Sequence, residues 1–308
     1  MSQNSLAIFD SLTADWFRHT LGKPTAVQDA AWPAIFSGVH TLVSAPTGTG
    51  KTLSAFLVFI DRFLAEARSG TLKEELKLIY ISPLKSLAGD IRENLRCPLN
   101  GIYEEERKQN PSAESTFSKL TIAIRTGDTP QKERRNMIKH PPHILITTPE
   151  SLFLMLTSQS GKKILCTAQT VIIDELHALI DSKRGAHLML SLARLDELCA
   201  KPLQRVGLSA TMKPLHLAAE YLSSDPVTVI APAMQKKVQL EVTSPWSDTR
   251  LLQKDSIWHE LAGTVVDLCK GSRSVIAFVE GRAYAEKLAY QDFSLLSLKL
   301  GENVACSD

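Results

Sequence analysis

At 308 residues the chain is long enough for one large or two medium domains. Hydrophobic residues make up 44% and charged residues 22%, a globular composition that excludes a disordered chain and a membrane-helix bundle. A formal charge of +2 leaves a nucleic-acid partner open, since a local basic stripe can sit on a balanced protein. The N-terminus carries Asp10 and Asp15 without a long apolar run, so it reads as neither a signal peptide nor a transmembrane helix. Residues 5–20 read as helix, with Leu6, Phe9, Leu12, Trp16 and Phe17 on one face. After the turn at Gly22-Lys23-Pro24, Thr25 is placed to cap a helix through Val27, Ala30, Ala31 and Ile35. Gln28 lies on that helix. Its amide offers a donor and an acceptor together, which suits the edge of adenine and equally suits an exposed helix residue.

A short apolar strand, His40–Ser44, then runs into Ala45-Pro46-Thr47-Gly48-Thr49-Gly50-Lys51-Thr52, and an amphipathic helix opens on Lys51. Strand, Gly-rich turn and helix form the context of a phosphate-binding loop. Gly48 and Gly50 let successive backbone N–H groups converge on phosphate oxygens, flanked by Thr47 and Thr49. Lys51 is placed to reach the β- and γ-phosphates of ATP, and the Thr52 hydroxyl to ligate Mg²⁺.

The helix from Lys51 closes near Arg68, and the strand Lys77–Ser82 ends in Pro83-Leu84-Lys85. A helix through Leu87, Ile91 and Leu95 follows. Residues 100–118 lack an apolar period and read as a surface excursion. Strands are expected at Leu120–Ile124 and His143–Thr147, separated by the turn at Thr126-Gly127-Asp128 and a basic helix through Lys132, Arg134, Arg135 and Lys139. Thr148-Pro149-Glu150-Ser151 reads as a capped helix start. The strand Thr170–Ile173 ends in Asp174-Glu175-Leu176-His177, and a long helix with Leu188, Leu192 and Leu195 leads to the strand Arg205–Leu208 and Ser209-Ala210-Thr211. Apolar strands alternating with helices imply an α/β fold whose parallel sheet is covered on both faces, with ligands at the strand C-termini. The scattered cysteines, Cys97, Cys166, Cys199, Cys269 and Cys306, form no close pair and suit reduced thiols in a cytoplasmic protein.

Two adjacent carboxylates at a buried strand's end fit nucleotide chemistry once a phosphate loop lies upstream. Asp174 would hold Mg²⁺, and Glu175 would orient and deprotonate the water that attacks the γ-phosphate. His177, two residues on, suits a coupling residue that links this site to Ser209, Ala210 and Thr211.

Together, Ala45–Thr52, Ser82-Pro83-Leu84-Lys85, Thr148-Pro149-Glu150, Asp174-Glu175-Leu176-His177 and Ser209-Ala210-Thr211 resemble motifs I, Ia, Ib, II and III of superfamily 2 helicases. The wording of Ile81–Leu87, Arg125–Thr129 and Ile172–His177 is similar to the large helicase-related, Lhr-type, ATP-dependent DNA helicases. That family accepts Ala at the first loop position and reads adenine with a Gln at the position of Gln28. The resemblance implies a RecA-like P-loop domain that uses ATP and Mg²⁺ to move along single-stranded nucleic acid, DNA more than RNA, with no membrane partner. It further implies phosphate contacts at Pro83, Lys85, Arg125, Gly127, Thr148 and Pro149, which hold a strand without reading its bases.

The expected organisation is a first RecA-like domain at 1–231, a linker at 232–249, where Val238, Leu240 and Val242 recur, and the start of a second RecA-like domain at 250–308. In that last part a helix through Ile257, Leu261, Val265 and Leu268 precedes a strand at Ser274–Val279, and Ile276–Arg282 resembles motif IV. After Tyr290 neither the later strands nor the Arg-rich motif VI of the family is found. A lobe this short cannot close a doubly wound sheet. The expectation is therefore weak or absent hydrolysis unless a separate chain supplies the other half.

Overall fold

Parallel strands cannot be joined by hairpins, so each apolar run in this sequence needs a crossover before its neighbour. The computed structural model describes residues 5–84, 87–109, 120–232, 240–243, 257–269 and 275–290. Among these, seven strands form one sheet: β1 (His40–Ser44), β2 (Leu78–Ile81), β3 (Ile122–Arg125), β4 (Ile144–Thr147), β5 (Thr170–Ile173), β6 (Gln204–Ser209) and β7 (Val227–Ile230). Their order is β3-β4-β2-β5-β6-β1-β7, and every pairing is parallel. The crossovers are carried by α3 (Lys51–Arg68), α4 (Leu87–Gln109), α5 (Gln131–Lys139), α6 (Pro149–Thr157), α7 (Gln159–Leu165), α8 (Lys183–Leu198) and α9 (Leu215–Leu222), with α1 (Ser11–Thr20) and α2 (Ala26–Phe36) ahead of β1. This is the RecA-like P-loop architecture expected.

The central strands β2, β4 and β5 are buried at every position, whereas the edge strands β3 and β7 are not. Alternate residues feed two cores. Leu78 and Tyr80 pack with Phe56 and Phe59 of α3, while Ile79 and Ile81 pack with Leu188 and Leu192 of α8. Burial on both faces is why the strands read as continuous apolar runs.

Several boundaries differ from the sequence reading. The first helix is two pieces, a 3₁₀ turn at Ser5–Ile8 and then α1. Asp10 breaks them by capping α1, its carboxylate accepting the Leu12 N–H at 3.0 Å. The supposed excursion after residue 100 is helical to Gln109, because Leu95, Leu99 and Ile102 continue one buried stripe. Gly101 lets that helix approach α1 closely, since a Cβ there would lie 2.0 Å from Trp16 Nε1. Residues 110–119 lie outside the described residues. The sequence reading assigned nothing to α7, α9 and β7. They are short, and β7 is a half-exposed edge strand with little apolar signal.

The chain divides into two compact units, Met1–Met234 and Gln235–Asp308. In the second, α10 (Ile257–Cys269) forms as expected and residues 282–290 are helical. The expected strand does not form. Residues 275–279 carry no strand, and Ile276 and Phe278 are 78% and 92% exposed. A strand exists only as part of a ladder, and the described residues of this unit offer it no partner. Ser274, Arg273, Val238 and Gln291–Asp308 lie outside the described residues. Among the described residues no helix is long and apolar enough to cross a membrane.

Candidate functional site

The loop between β1 and α3 is shaped by two left-handed glycines, Gly48 (φ 78°) and Gly50 (φ 83°). At Gly50 a side chain is excluded twice, by the backbone angle and by Gln28 Nε2, which would lie 2.6 Å from a Cβ. The loop is braced from both sides. Thr49 Oγ1 donates to the Pro46 carbonyl at 2.8 Å, and Thr25 Oγ1 donates to the Thr49 carbonyl at 3.0 Å. The Lys51 ammonium lies over the loop and donates to the carbonyls of Ala45 (2.6 Å) and Pro46 (3.0 Å).

Because β6 lies between β1 and β5, the strand carrying the acids stands one strand away from the loop. Gly48, Gly50, Lys51, Thr52, Asp174 and Glu175 line one cavity of about 440 Å³, walled by Trp16 and Thr20 of α1 and by Asn94 and Pro98 of α4. The sequence reading missed both walls.

It also missed Tyr80. This side chain is fully buried on β2, stacks on Phe56 of α3 (4.7 Å between centroids, 19° between planes), and donates its hydroxyl to Asp174 Oδ2 at 2.5 Å. Burial first, and then the negative charge of Asp174, push the phenol well above its ordinary pKa, so it remains a donor. The other carboxylate oxygen, Oδ1, accepts the Glu175 N–H at 2.9 Å. A single tyrosine in an aliphatic, buried strand was the available signal, because a buried phenol seeks an acceptor.

Glu175 has φ 48° and is the one non-glycine residue with positive φ among the described residues. Side chains adopt that region at a cost of about 1–2 kcal/mol, and such positions concentrate at functional sites. The bend sends the chain into a 3₁₀ turn, Leu176–Ala178, that carries His177 toward the end of β6. There the Ala210 N–H donates to His177 Nδ1 at 3.2 Å, with Ser209 Oγ 3.5 Å away. Since Nδ1 accepts that hydrogen bond, its 3.4 Å approach to Glu175 Oε2 is proximity rather than an ion pair. Ser44 Oγ, at the end of β1, donates to the Ala210 carbonyl at 3.1 Å. The Ser209-Ala210-Thr211 segment is thus bonded to the strand leading into the loop on one side and to His177 on the other. Ser209 is buried and Thr211 exposed.

Gln28 is brought to the loop, but as a buried residue. Its Oε1 accepts the Thr25 N–H at 2.9 Å, half of a capping box at the start of α2. The structure does not present it as the exposed amide that the sequence left open.

The residues expected to hold nucleic acid fare unevenly. Arg125 and Gly127 lie at the C-terminal end of β3, half-buried and exposed. Pro83, Thr148 and Pro149 are buried, so a phosphate contact at these positions would fall to backbone groups and the Thr148 hydroxyl. Thr148 has a structural role as N-cap of α6, its hydroxyl accepting the Ser151 N–H at 3.4 Å, and Pro149 follows in the first turn. Next to them Glu150 is held by both forks of Arg184 (2.5 and 3.0 Å), which keeps its carboxyl below the usual range. Lys85 lies outside the described residues.

A sequence model of the DEAD/DEAH box helicase family matches residues 25–218. The Lhr helicase/probable uracil glycosylase of Mycolicibacterium smegmatis is 46% identical over 284 residues, covering 92% of this chain and 18% of that protein. The Lhr helicase/uracil glycosylase of Escherichia coli is 41% identical over 312 residues, covering 95% of this chain and 20% of that protein. A solved structure of the Mycobacterium smegmatis helicase Lhr bound to ssDNA and AMP-PNP has a TM-score of 0.81 at 43% identity, covering 97% of this chain and 37% of that one. The chain therefore spans about a fifth of these two curated relatives. The matched residues include the loop, the acidic pair and the Ser209-Ala210-Thr211 segment, and the chain belongs to the DEAD/DEAH box helicase family, on its Lhr branch.

Proposed function

We propose that this chain is the ATP-binding lobe of a helicase or translocase that couples ATP hydrolysis to movement on single-stranded nucleic acid. The observation that carries the reading is the shared cavity, where a phosphate loop faces two acids across one strand. The loop fits a triphosphate, because its two left-handed glycines give the turn a phosphate cradle requires and its cation lies over the loop. The residues also fit a divalent ion. Among the described residues there is no cluster of three or more His, Cys, Asp or Glu to cage a metal. Mg²⁺ commonly takes one or two protein oxygens and completes its shell with phosphates and water, and Thr52 with Asp174 offers such a set. When bound, the ion neutralises charge on the β- and γ-phosphates. In this reading Lys51 binds the phosphates, Glu175 holds and deprotonates the attacking water, and His177 passes the state of the site to Ser209, Ala210 and Thr211. Gln28 supports the loop from behind and reaches adenine only by leaving its cap.

For the strand, the half-buried Arg125 and the exposed Gly127 are the candidates among the described residues, and Lys85 is a candidate from the sequence alone. The ssDNA in the related Lhr structure supports DNA as the substrate. A second reading, a lobe without helicase activity of its own, rests on the described residues of the second unit, which hold two helices and no strand. In that reading a separate chain completes the cleft.

Replacing Lys51 with Ala removes a charge-assisted contact worth roughly 1.5–3 kcal/mol, so Mg-ATP affinity should fall about 10- to 150-fold. Calorimetry with Mg-ATP and Mg-ADP tests this, and equal affinities for the two proteins would refute the assignment. Tyr80→Phe keeps the ring on Phe56 and removes the hydroxyl from Asp174. The magnesium concentration needed for half-maximal nucleotide binding should rise roughly 10- to 100-fold, as for other groups that orient a metal ligand. Unchanged magnesium dependence would leave Tyr80 as packing alone.

A further inference from the structure

Glu150, in the first turn of α6, is gripped by Arg184, in the first turn of α8. Arg184 Nε lies 2.5 Å from Oε1 and Nη2 lies 3.0 Å from Oε2. Two parallel N–H···O bonds fix an angle as well as a distance, which a lysine in place of Arg184 would not do. The two helices also have other contacts. The His187 and Phe153 rings lie 4.6 Å apart, and the Arg194 guanidinium lies 5.7 Å from the same phenyl ring, so α6 and α8 stay packed without the fork.

What sets the fork apart is where its two ends lead. On the α8 side, short bonds run on from Glu175. The Ala178 N–H donates to the Glu175 carbonyl at 2.8 Å, and the Leu179 N–H donates to the Leu176 carbonyl at 3.0 Å. Ser182 donates to the Leu179 carbonyl from both its N–H (3.1 Å) and its hydroxyl (2.8 Å), and that hydroxyl accepts the Gly185 N–H at 3.0 Å. Gly185 packs so closely on this turn that a Cβ would lie 1.9 Å from the Leu179 carbonyl oxygen. Arg184 is therefore carried on a stiff segment that starts at the acid. On the α6 side, Thr148 caps the helix directly after β4, and Thr147 Oγ1 donates to the Arg125 carbonyl, at the end of β3, at 2.7 Å. One carboxylate–guanidinium pair thus joins the nucleotide site to the β3–β4 edge.

We propose that Glu150 and Arg184 are a positioning pair, which transmits the state of the acid turn to the start of α6 within this one lobe. The proposal rests on the nucleotide and single-strand reading above, and it adds a route separate from His177. Nucleotide contacts that shift Glu175 move the start of α8, and the fork carries that shift into the first turn of α6, beside Thr148. Both side chains are part-exposed, at 37% and 55%. The fork therefore has the strength of a well-aligned surface ion pair, enough to tune the linkage and too little to hold the fold.

The test is a thermodynamic cycle on the full chain. Affinity for labelled oligothymidylate is measured by fluorescence anisotropy with and without saturating Mg-AMP-PNP. The ratio is the coupling factor, and it must equal the factor by which the strand changes nucleotide affinity. Glu150→Gln and Arg184→Lys should each bring that factor roughly two- to five-fold closer to unity, with affinity for either ligand alone unchanged. Combining Glu150→Gln with Arg184→Lys should lose no more than either change by itself, because the two side chains act as one unit. Arg194→Gln, which alters the same helix pair elsewhere, should keep the wild-type factor. An equal change in Arg194→Gln would reduce the effect to helix packing and overturn the proposal. So would a factor of unity in the wild-type chain, an unchanged factor in the fork variants, or weaker binding of either ligand alone at a constant factor. If the wild-type chain binds no strand or no nucleotide, the functional reading itself fails and the proposal falls with it.

Discussion

Protein comprising residues 1–308 alone is expected to separate no duplex, and to release phosphate from ATP roughly 10³- to 10⁵-fold more slowly than a form with a complete opposing lobe. The factor is that of an arginine finger in phosphoryl transfer. Lys51, Thr52, Asp174 and Glu175 supply a phosphate cation, a metal site and a base from one sheet edge. Charge that builds on the γ-phosphoryl group still needs neutralising, and Lys51 is the one basic side chain among the described residues lining the cavity. Strand separation further requires a second grip that moves relative to the first. A strand-displacement assay beside a phosphate-release assay, on monodisperse protein, measures both. Glu175→Gln serves as the blank for contaminating ATPase. Unwinding that disappears in Glu175→Gln would overturn the expectation and point to two chains completing one cleft.

What the sequence made legible here was local. The phosphate loop is six consecutive residues after a strand, Thr47–Thr52, and its chemistry follows from spacing alone. The acids were legible because Thr170–Ile173 is β-branched throughout and reads as a buried strand, so the next residues had to emerge at its end. Relations across the sheet were not legible. Tyr80 and Asp174 are 94 residues apart, and only the adjacency of β2 and β5 brings them within a hydrogen bond. The burial of Pro83, Thr148 and Pro149 is likewise a tertiary fact, because the family wording marks where a strand passes without saying which atoms face it. The failure at residues 275–279 has another cause. An apolar β-branched run predicts a strand only if a neighbour exists to receive its ladder.

Trp32→Ala is expected to lower the unfolding free energy of the first unit by about 3–5 kcal/mol. That is a large share of the 5–15 kcal/mol typical of a domain. Trp32 is fully buried, and Phe9 and Phe17 meet it edge-on at 4.9 and 5.3 Å, so one indole holds the N-terminal segment and α1 against α2. Its Nε1 has no hydrogen-bond partner among the described residues. Truncation therefore strands no acceptor, and the loss is one of packing and burial. Urea denaturation should show a lower midpoint with an unchanged slope. Nucleotide affinity should weaken in the same variant below its unfolding transition, since Trp16 and Thr20 of α1 wall the cavity. A loss under about 1 kcal/mol would mean the pocket collapses around the missing ring.

The strand order also sets a timetable for biogenesis. β1 is the first strand to leave the ribosome, yet both its neighbours, β6 and β7, are the last two strands of its unit. His40 meets Arg205 across 165 residues of chain. At 5–20 residues per second the ribosome needs roughly 10–30 s to cover that distance, longer than most single domains take to fold. Through that interval the apolar β1 has no ladder on either side, and the glycine turn that follows it is not yet anchored through Ser44 to Ala210. Nucleotide therefore cannot template this unit early in synthesis. It can only trap the product once β6 has been threaded between β1 and β5, which makes the nascent chain, not the finished protein, the form most exposed to aggregation and chaperone capture.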